Sequence, residues 1–213
     1  MTIAKTMRPP VLATALVTAI VLAAACKEAS SYRIGVVLDE DGARGAAFAA
    51  QAVNAAGGIN GHPLELKMVG GMSSTSARIA LEAAEMIASD PKVLAVVGHT
   101  NSSASLAASQ VYNAHRVLQI APTSSTPFYS QAGRYSFRLV ASDEFQGAFL
   151  AKQVIAQSPR PRTAVMFVND DYGRALAAVL MRELHAAGSD PVYSAPYVEN
   201  LDSFPDIPRS LPQ

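Results

Sequence analysis

The chain has 213 residues, 50% of them hydrophobic and 16% charged, with 17 basic and 17 acidic side chains that cancel. This composition excludes a disordered or collagen-like chain, and the length allows one large or two small domains. Zero net charge, with no basic block anywhere, excludes the electrostatic footprint that nucleic-acid binding requires.

The N-terminus differs from this average. Lys5 and Arg8 precede an uncharged apolar run from Val11 to Ala25, short of the roughly 20 residues of a membrane span and suited to the h-region of a secretory signal. The only cysteine, Cys26, follows Leu22-Ala23-Ala24-Ala25 and resembles a bacterial lipobox, although Leu22 stands one place further from the cysteine than is usual. The expectation is a signal peptide over residues 1–25, with Cys26 lipidated and a linker over residues 26–32. Removing the signal takes away Lys5 and Arg8, so the mature chain is slightly acidic and has no cysteine pair for a disulfide.

From Arg33 onward, β-branched runs alternate with longer Ala-rich helical patterns, the signature of βαβ units around a parallel sheet. The pattern predicts a strand from Arg33 to Leu38, buried on both faces, and a helix from about Arg44 to Ala56 stopped by Gly57-Gly58. A strand from Leu64 to Val69 leads to a helix at about Ser76 to Ser89, with Ile79, Ala83, Met86 and Ile87 on one face. A strand from Val93 to Val97, a helix reaching about Ala114 and a strand from Val117 to Ile120 come next. The Ser/Thr-rich loop from Ala121 to Thr126 precedes a strand from Tyr135 to Val140. A helix then runs to about Gln157, with Asp143 and Gln146 fitting a capping box. Beyond Pro159 and Pro161 the pattern gives a strand from Thr163 to Asn169, a helix from Tyr172 to Ala187 and a strand at about Val192 to Tyr197. Pro205, Pro208 and Pro212 exclude a regular helix from Ser203 to Gln213. Two doubly wound α/β lobes are expected, a first over residues 33–140 and a partial second over residues 141–213.

In a parallel α/β sheet the ligand crevice lies beyond the carboxyl ends of the strands. Thr100, Asn101, Ser102 and Ser103 follow the third strand at a helix start, where free amides and the positive end of the macrodipole favour a carboxylate or phosphate. The same serines also suit a plain N-cap, and Thr123 to Thr126 an ordinary turn. Asp39, Glu40 and Asp41 lack the partners of a Mg²⁺ site and read as a solvated turn. In Asn169-Asp170-Asp171-Tyr172-Gly173 the carboxylates suit a helix cap, while Tyr172 offers a ring and a hydroxyl. No dinucleotide fingerprint, Walker loop or nucleophile elbow occurs, and His62, His99, His115 and His185 have no metal-ligand spacing. A binder without catalytic residues, cofactor or metal is the expectation.

Ile34-Gly35-Val36-Val37, Val53-Asn54-Ala55-Ala56-Gly57-Gly58-Ile59-Asn60-Gly61-His62-Pro63-Leu64, Val96-Val97-Gly98-His99 with Ser102-Ser103, Gln119-Ile120-Ala121-Pro122, Phe137-Arg138, Asp143 with Gln146-Gly147, and Asp171-Tyr172-Gly173 occur in this order. With them the chain resembles the type I periplasmic binding proteins of ABC importers for branched-chain amino acids, the leucine-binding group. The resemblance implies a type I periplasmic-binding-protein fold, two lobes closing on a zwitterionic amino acid or a small amide. It further implies that groups matching Ser102, Ser103, Thr123, Ser124 and Ser125 hold the α-carboxylate, and that Tyr172 reaches across from the second lobe.

Three departures from the family pattern bear on function. The connection from Asp39 to Ala43 is too short for the family's ligand-side aromatic, and Asn101 stands where family members often carry a cysteine. The acidic partner of the ligand's ammonium would lie beyond Gln213, so the second lobe is expected to be incomplete and amino-acid binding by residues 26–213 weak or absent. The expected partners are a small-molecule ligand, the importer's permease and ATPase subunits, and the membrane through the lipid. A ligand-sensing receptor module of the same fold is the alternative.

Overall fold

The computed structural model describes residues 31–69, 76–157 and 161–198. The expected signal peptide, Cys26 and the proline-rich segment from Ser203 lie outside the described residues. Strands β1 (Tyr32–Val37), β2 (Leu64–Met68), β3 (Val93–Gly98), β4 (Leu118–Ala121) and β5 (Ser136–Arg138) form a parallel sheet in the order β2-β1-β3-β4-β5. Helices α1 (Glu40–Ala55), α2 (Ala77–Ala88) and α3 (Ser102–His115) make the first three crossovers, and a short 3-10 helix, Pro127–Gln131, stands between β4 and β5. The chain continues through α4 (Asp143–Gln157), β6 (Ala164–Val168), α5 (Asp171–Ala186) and β7 (Tyr193–Tyr197), with β6 and β7 paired in parallel.

Right-handed crossovers explain the layering. The step from β1 to β2 runs opposite to the steps from β2 to β3 and from β3 to β4, so α1 covers one face and α2 and α3 the other. Ile34 and Val36 accordingly face α1 beside Leu64 and Leu66, whereas Val37 joins Ala83, Ile87, Ala108, Val111 and Tyr112 in the core beneath α2 and α3. This two-sided burial is why β1 reads as an unbroken apolar run.

The string from Val53 to Leu64 is a joint between α1 and β2. Asn54 donates from Nδ2 to the Leu64 carbonyl at 2.9 Å and accepts the Leu64 N–H at 2.7 Å, tying the helix end to the strand start. Gly58 has φ +78°, and a Cβ there would lie 2.1 Å from the His62 carbonyl oxygen, so the turn requires glycine.

Four sequence expectations need correction. Helix α1 begins at Glu40 rather than near Arg44, because the Asp39 carboxylate accepts the Gly42 N–H at 2.8 Å while Glu40 and Asp41 face the positive helix end. Gly42 in this first turn has an entropic cost of about 1 kcal/mol, which the cap offsets. Strand β5 spans three residues, not six: after Leu139 N–H donates to the Ala121 carbonyl, the chain leaves the sheet. At the start of α4 the expected Asp143–Gln146 capping box does not form: the Asp143 N–H donates to the Ser125 carbonyl, and it is Ser142 whose hydroxyl accepts the Glu144 N–H at 3.4 Å and whose carbonyl accepts the Gln146 N–H at 3.3 Å. The N-cap of α3 is Asn101, whose side chain accepts the Ala104 N–H at 2.9 Å, so neither Ser102 nor Ser103 serves that purpose.

Candidate ligand-binding cleft

The carboxyl ends of β3, β4 and β6 converge on a cavity of about 510 Å³ lined by Thr100, Asn101, Ser102, Thr123, Ser125, Val140, Ala141, Gln146, Asp170 and Tyr172. Ser102, Thr123, Ser125 and Tyr172, singled out in the sequence, meet here. Ser103 and Ser124 lie elsewhere. The Ser103 hydroxyl accepts the Asp171 N–H at 3.3 Å, bridging α3 and α5. Ser124 is fully buried and donates to Ser105 Oγ at 2.6 Å, inside the first lobe.

Helix α3 presents the anion-binding side. Its first donors divide cleanly: Ala104 N–H goes to the Asn101 side chain and Ser105 N–H to the Asn101 carbonyl. The amides of Ser102 and Ser103 are left at the helix start, where the macrodipole is positive. Ser102 Oγ accepts the Thr126 N–H at 3.4 Å, a bond that does not use the hydroxyl's own proton. Thr123 donates its hydroxyl to the Thr100 carbonyl, which locks the loops after β3 and β4 together.

Behind these loops lies a buried polar network. Ser105 Oγ donates to the His99 carbonyl at 3.1 Å and accepts the His99 N–H at 3.2 Å, while Gln119 Nε2 donates to the carbonyls of Gly98 at 3.1 Å and Ser105 at 3.3 Å. His99 Nε2 lies 3.3 Å from the Tyr112 hydroxyl, and burial pushes the ring down to about 4, so it is neutral at pH 7. The buried hydroxyls of Tyr112 and Tyr129 shift upward for the same reason.

The second lobe contributes Tyr172, which follows the Asp170 N-cap of α5; Asp170 accepts the Gly173 N–H at 2.7 Å. Gly173 approaches β6 so closely that a Cβ would lie 2.1 Å from the Val168 carbonyl oxygen. The Tyr172 hydroxyl accepts from Gln146 Nε2 at 3.4 Å, so two elements of this lobe fix the ring at the cavity. Gln146 and Asp170 are site-lining residues that the sequence reading had assigned to helix capping alone.

Asp143 is the other residue whose position the sequence did not disclose. It is fully buried at the start of α4, and neither carboxylate oxygen has a hydrogen-bond partner of normal geometry. Burial raises its pKa, while the Ser125 hydroxyl and the Arg138 guanidinium oppose the rise. Among the described residues, no cluster of three or more His, Cys, Asp or Glu side chains could hold a metal ion.

Comparison with known proteins gives this geometry a context. A family model described as periplasmic binding protein matches residues 34–211. An amino acid binding protein of Pseudomonas aeruginosa is 33% identical over 146 residues, covering 68% of this chain and 38% of that protein. The Leu/Ile/Val-binding protein homolog 1 of Brucella abortus is 31% identical over 147 residues, covering 68% and 39%. The crystal structure of an ABC transporter substrate-binding protein from Desulfitobacterium hafniense in complex with Leu superposes with a TM-score of 0.67 at 26% identity, covering 80% of this chain and 52% of that one. The chain thus spans about half or less of the length of these relatives and holds only part of the type I fold. The parallel sheet, the strand-end cleft and the extent of the family match agree: this chain belongs to the periplasmic binding protein family.

Proposed function

We propose that the protein is the extracytoplasmic solute-binding component of an ABC importer for branched-chain or related amino acids, and that it catalyses no reaction. One observation carries the reading: at the start of α3, Ser102, with its leftover amide and its hydroxyl, lines a cavity to which the other lobe contributes Tyr172. This arrangement suits a carboxylate, which gains charge-assisted hydrogen bonds and a favourable helix dipole without a basic side chain. The names of the Pseudomonas and Brucella relatives and the leucine held by the Desulfitobacterium protein point to the same class of ligand. Ser102, Thr123, Ser125 and Tyr172 are the ligand-facing residues of this proposal, while Ser103 and Ser124 support them. Export through the N-terminal signal and lipidation at Cys26 would place the protein on the outer face of the membrane, beside a permease and its ATPase.

The test is titration of the protein, as its gene encodes it, with L-leucine, L-isoleucine and L-valine by calorimetry. Submillimolar binding to at least one of them is expected, weakened at least tenfold by Ser102→Ala. Absence of binding to all three, or indifference to Ser102→Ala, would overturn the reading. Metabolic labelling with palmitate, lost in Cys26→Ser, tests the anchor.

A further inference from the structure

We propose that Arg138 is a positioning residue that couples the chain crossing between the lobes to the two cleft hydroxyls, Ser102 and Ser125. Only the ligand arm of its test rests on the amino-acid reading above.

Arg138 is the last residue of β5, half-buried where the chain departs for the second lobe. Its guanidinium points back into the loop after β4. Nη1 donates to the carbonyls of Ser125 at 3.2 Å and Thr126 at 2.7 Å, and Nη2 donates to Ser130 Oγ at 2.6 Å. Two consecutive peptide carbonyls are thereby held by one planar group. Each of those residues has a second attachment. The Ser125 carbonyl also accepts the Asp143 N–H at 2.9 Å, the first amide of the second lobe's leading helix. The Thr126 N–H donates to Ser102 Oγ at 3.4 Å.

The connectivity therefore runs from β5, through the guanidinium, to the Ser125–Thr126 peptide, and from there to Ser102 on one side and to α4 on the other. Val140 and Ala141, the crossing residues between Arg138 and α4, themselves line the cleft. A change in the angle of the crossing cannot leave the Ser125–Thr126 peptide in place unless these bonds break. Conversely, a ligand that fixes Ser102 and Ser125 restrains the crossing. Arginine suits this role because its rigid fork serves three acceptors at once, whereas a lysine ammonium is a mobile point charge. Removing the guanidinium also leaves the Thr126 carbonyl with only the Tyr129 N–H, at 3.1 Å, and the buried Asp143 carboxylate without its neighbouring cation.

The test compares the wild type with Arg138→Met, Arg138→Lys and the milder Ser130→Ala, in the protein as its gene encodes it. Amide hydrogen exchange is read first, without ligand. The Asp143 and Thr126 amides are expected to exchange at least tenfold faster in Arg138→Met and less so in Arg138→Lys, with the amides of β1 and β3 unchanged. Should Arg138→Met fail to fold, Arg138→Lys and Ser130→Ala are expected to show the same local effect at smaller size. Unchanged exchange at Asp143 and Thr126, or equal acceleration throughout the sheet, overturns the coupling. L-Leucine titration is read second, with affinity expected to fall at least tenfold in Arg138→Met and to recover partly in Arg138→Lys; unaltered affinity likewise overturns it. Failure of the wild type to bind leucine counts against the amino-acid reading alone, because the exchange measurement still decides the coupling.

Discussion

The Ser124 hydroxyl donates to Ser105 Oγ at 2.6 Å, and Ser105 in turn donates to the His99 carbonyl, so a serine of the β4 loop braces the loop after β3 from inside the lobe. Its neighbour Ser125 lines the cleft. Adjacent residues of one polar string thus serve different ends, and substitution separates them. Ser124→Ala is expected to destabilise the protein by about 1–2 kcal/mol, the cost of leaving a buried hydrogen-bonding group without its partner. Ser125→Ala is expected to change stability less and to weaken amino-acid binding more. Urea denaturation and calorimetric titration of both variants check this contrast.

Tyr172 and Gln146 form a second pair that binding measurements can resolve. Tyr172→Phe removes the hydroxyl but keeps the ring, so a loss of affinity of roughly three- to tenfold is expected, the worth of about one net hydrogen bond. Gln146→Ala is expected to have a smaller effect in the same direction, because it only releases that hydroxyl. A larger loss in Gln146→Ala than in Tyr172→Phe would show that Gln146 meets the ligand itself.

Histidine 99 makes stability depend on pH. Its folded-state value is lowered by burial to about 4, below the ordinary 6.5. The unfolded chain therefore binds the proton first, and stability is lost as pH falls from about 6.5 toward 4, by up to about 3 kcal/mol. The raised value of Asp143 acts in the opposite sense, since the folded state then binds a proton more readily than the unfolded chain at pH values above the ordinary carboxylate range. His99→Gln is expected to flatten the slope between pH 4 and 6.5, measured as the urea midpoint at each pH. An unchanged slope would show that the imidazole is not its source.

Gly173→Ala tests the joint that aims Tyr172. Its added methyl group would meet the Val168 carbonyl oxygen at 2.1 Å, a backbone atom that cannot swing aside. The variant is expected to lose about 1–3 kcal/mol of stability, the usual cost of overpacking, and to bind amino acids more weakly through displacement of the ring. Gly45→Ala is the control: nothing lies within 4 Å of that position, which sits within α1. Thermal unfolding of the two variants side by side distinguishes crowding from a general effect of replacing glycine.

The sequence by itself determined the order of strands and helices, the parallel α/β class and the strand-end loops where a site must lie. These follow from local periodicity, from glycine turns such as Gly58 and from short caps, all of which act within a few residues. Strand ends and caps were less legible. Asp39, Asn101 and Ser142 compete with equally good neighbours for the same free amides, and only the direction of the incoming chain settles which of them wins. The division among the serines depended wholly on tertiary structure. Ser102, Ser103, Ser124 and Ser125 look alike in the sequence, yet two line the cleft, one bridges α3 to α5 and one is buried against Ser105. The burial of Asp143 and the grip of Arg138 on the Ser125–Thr126 peptide were likewise invisible, because their partners come from the β4 loop, at least 12 residues from Arg138. A hydroxyl's role is set by the donor or acceptor that long-range packing brings to it, and a one-dimensional pattern does not contain that information.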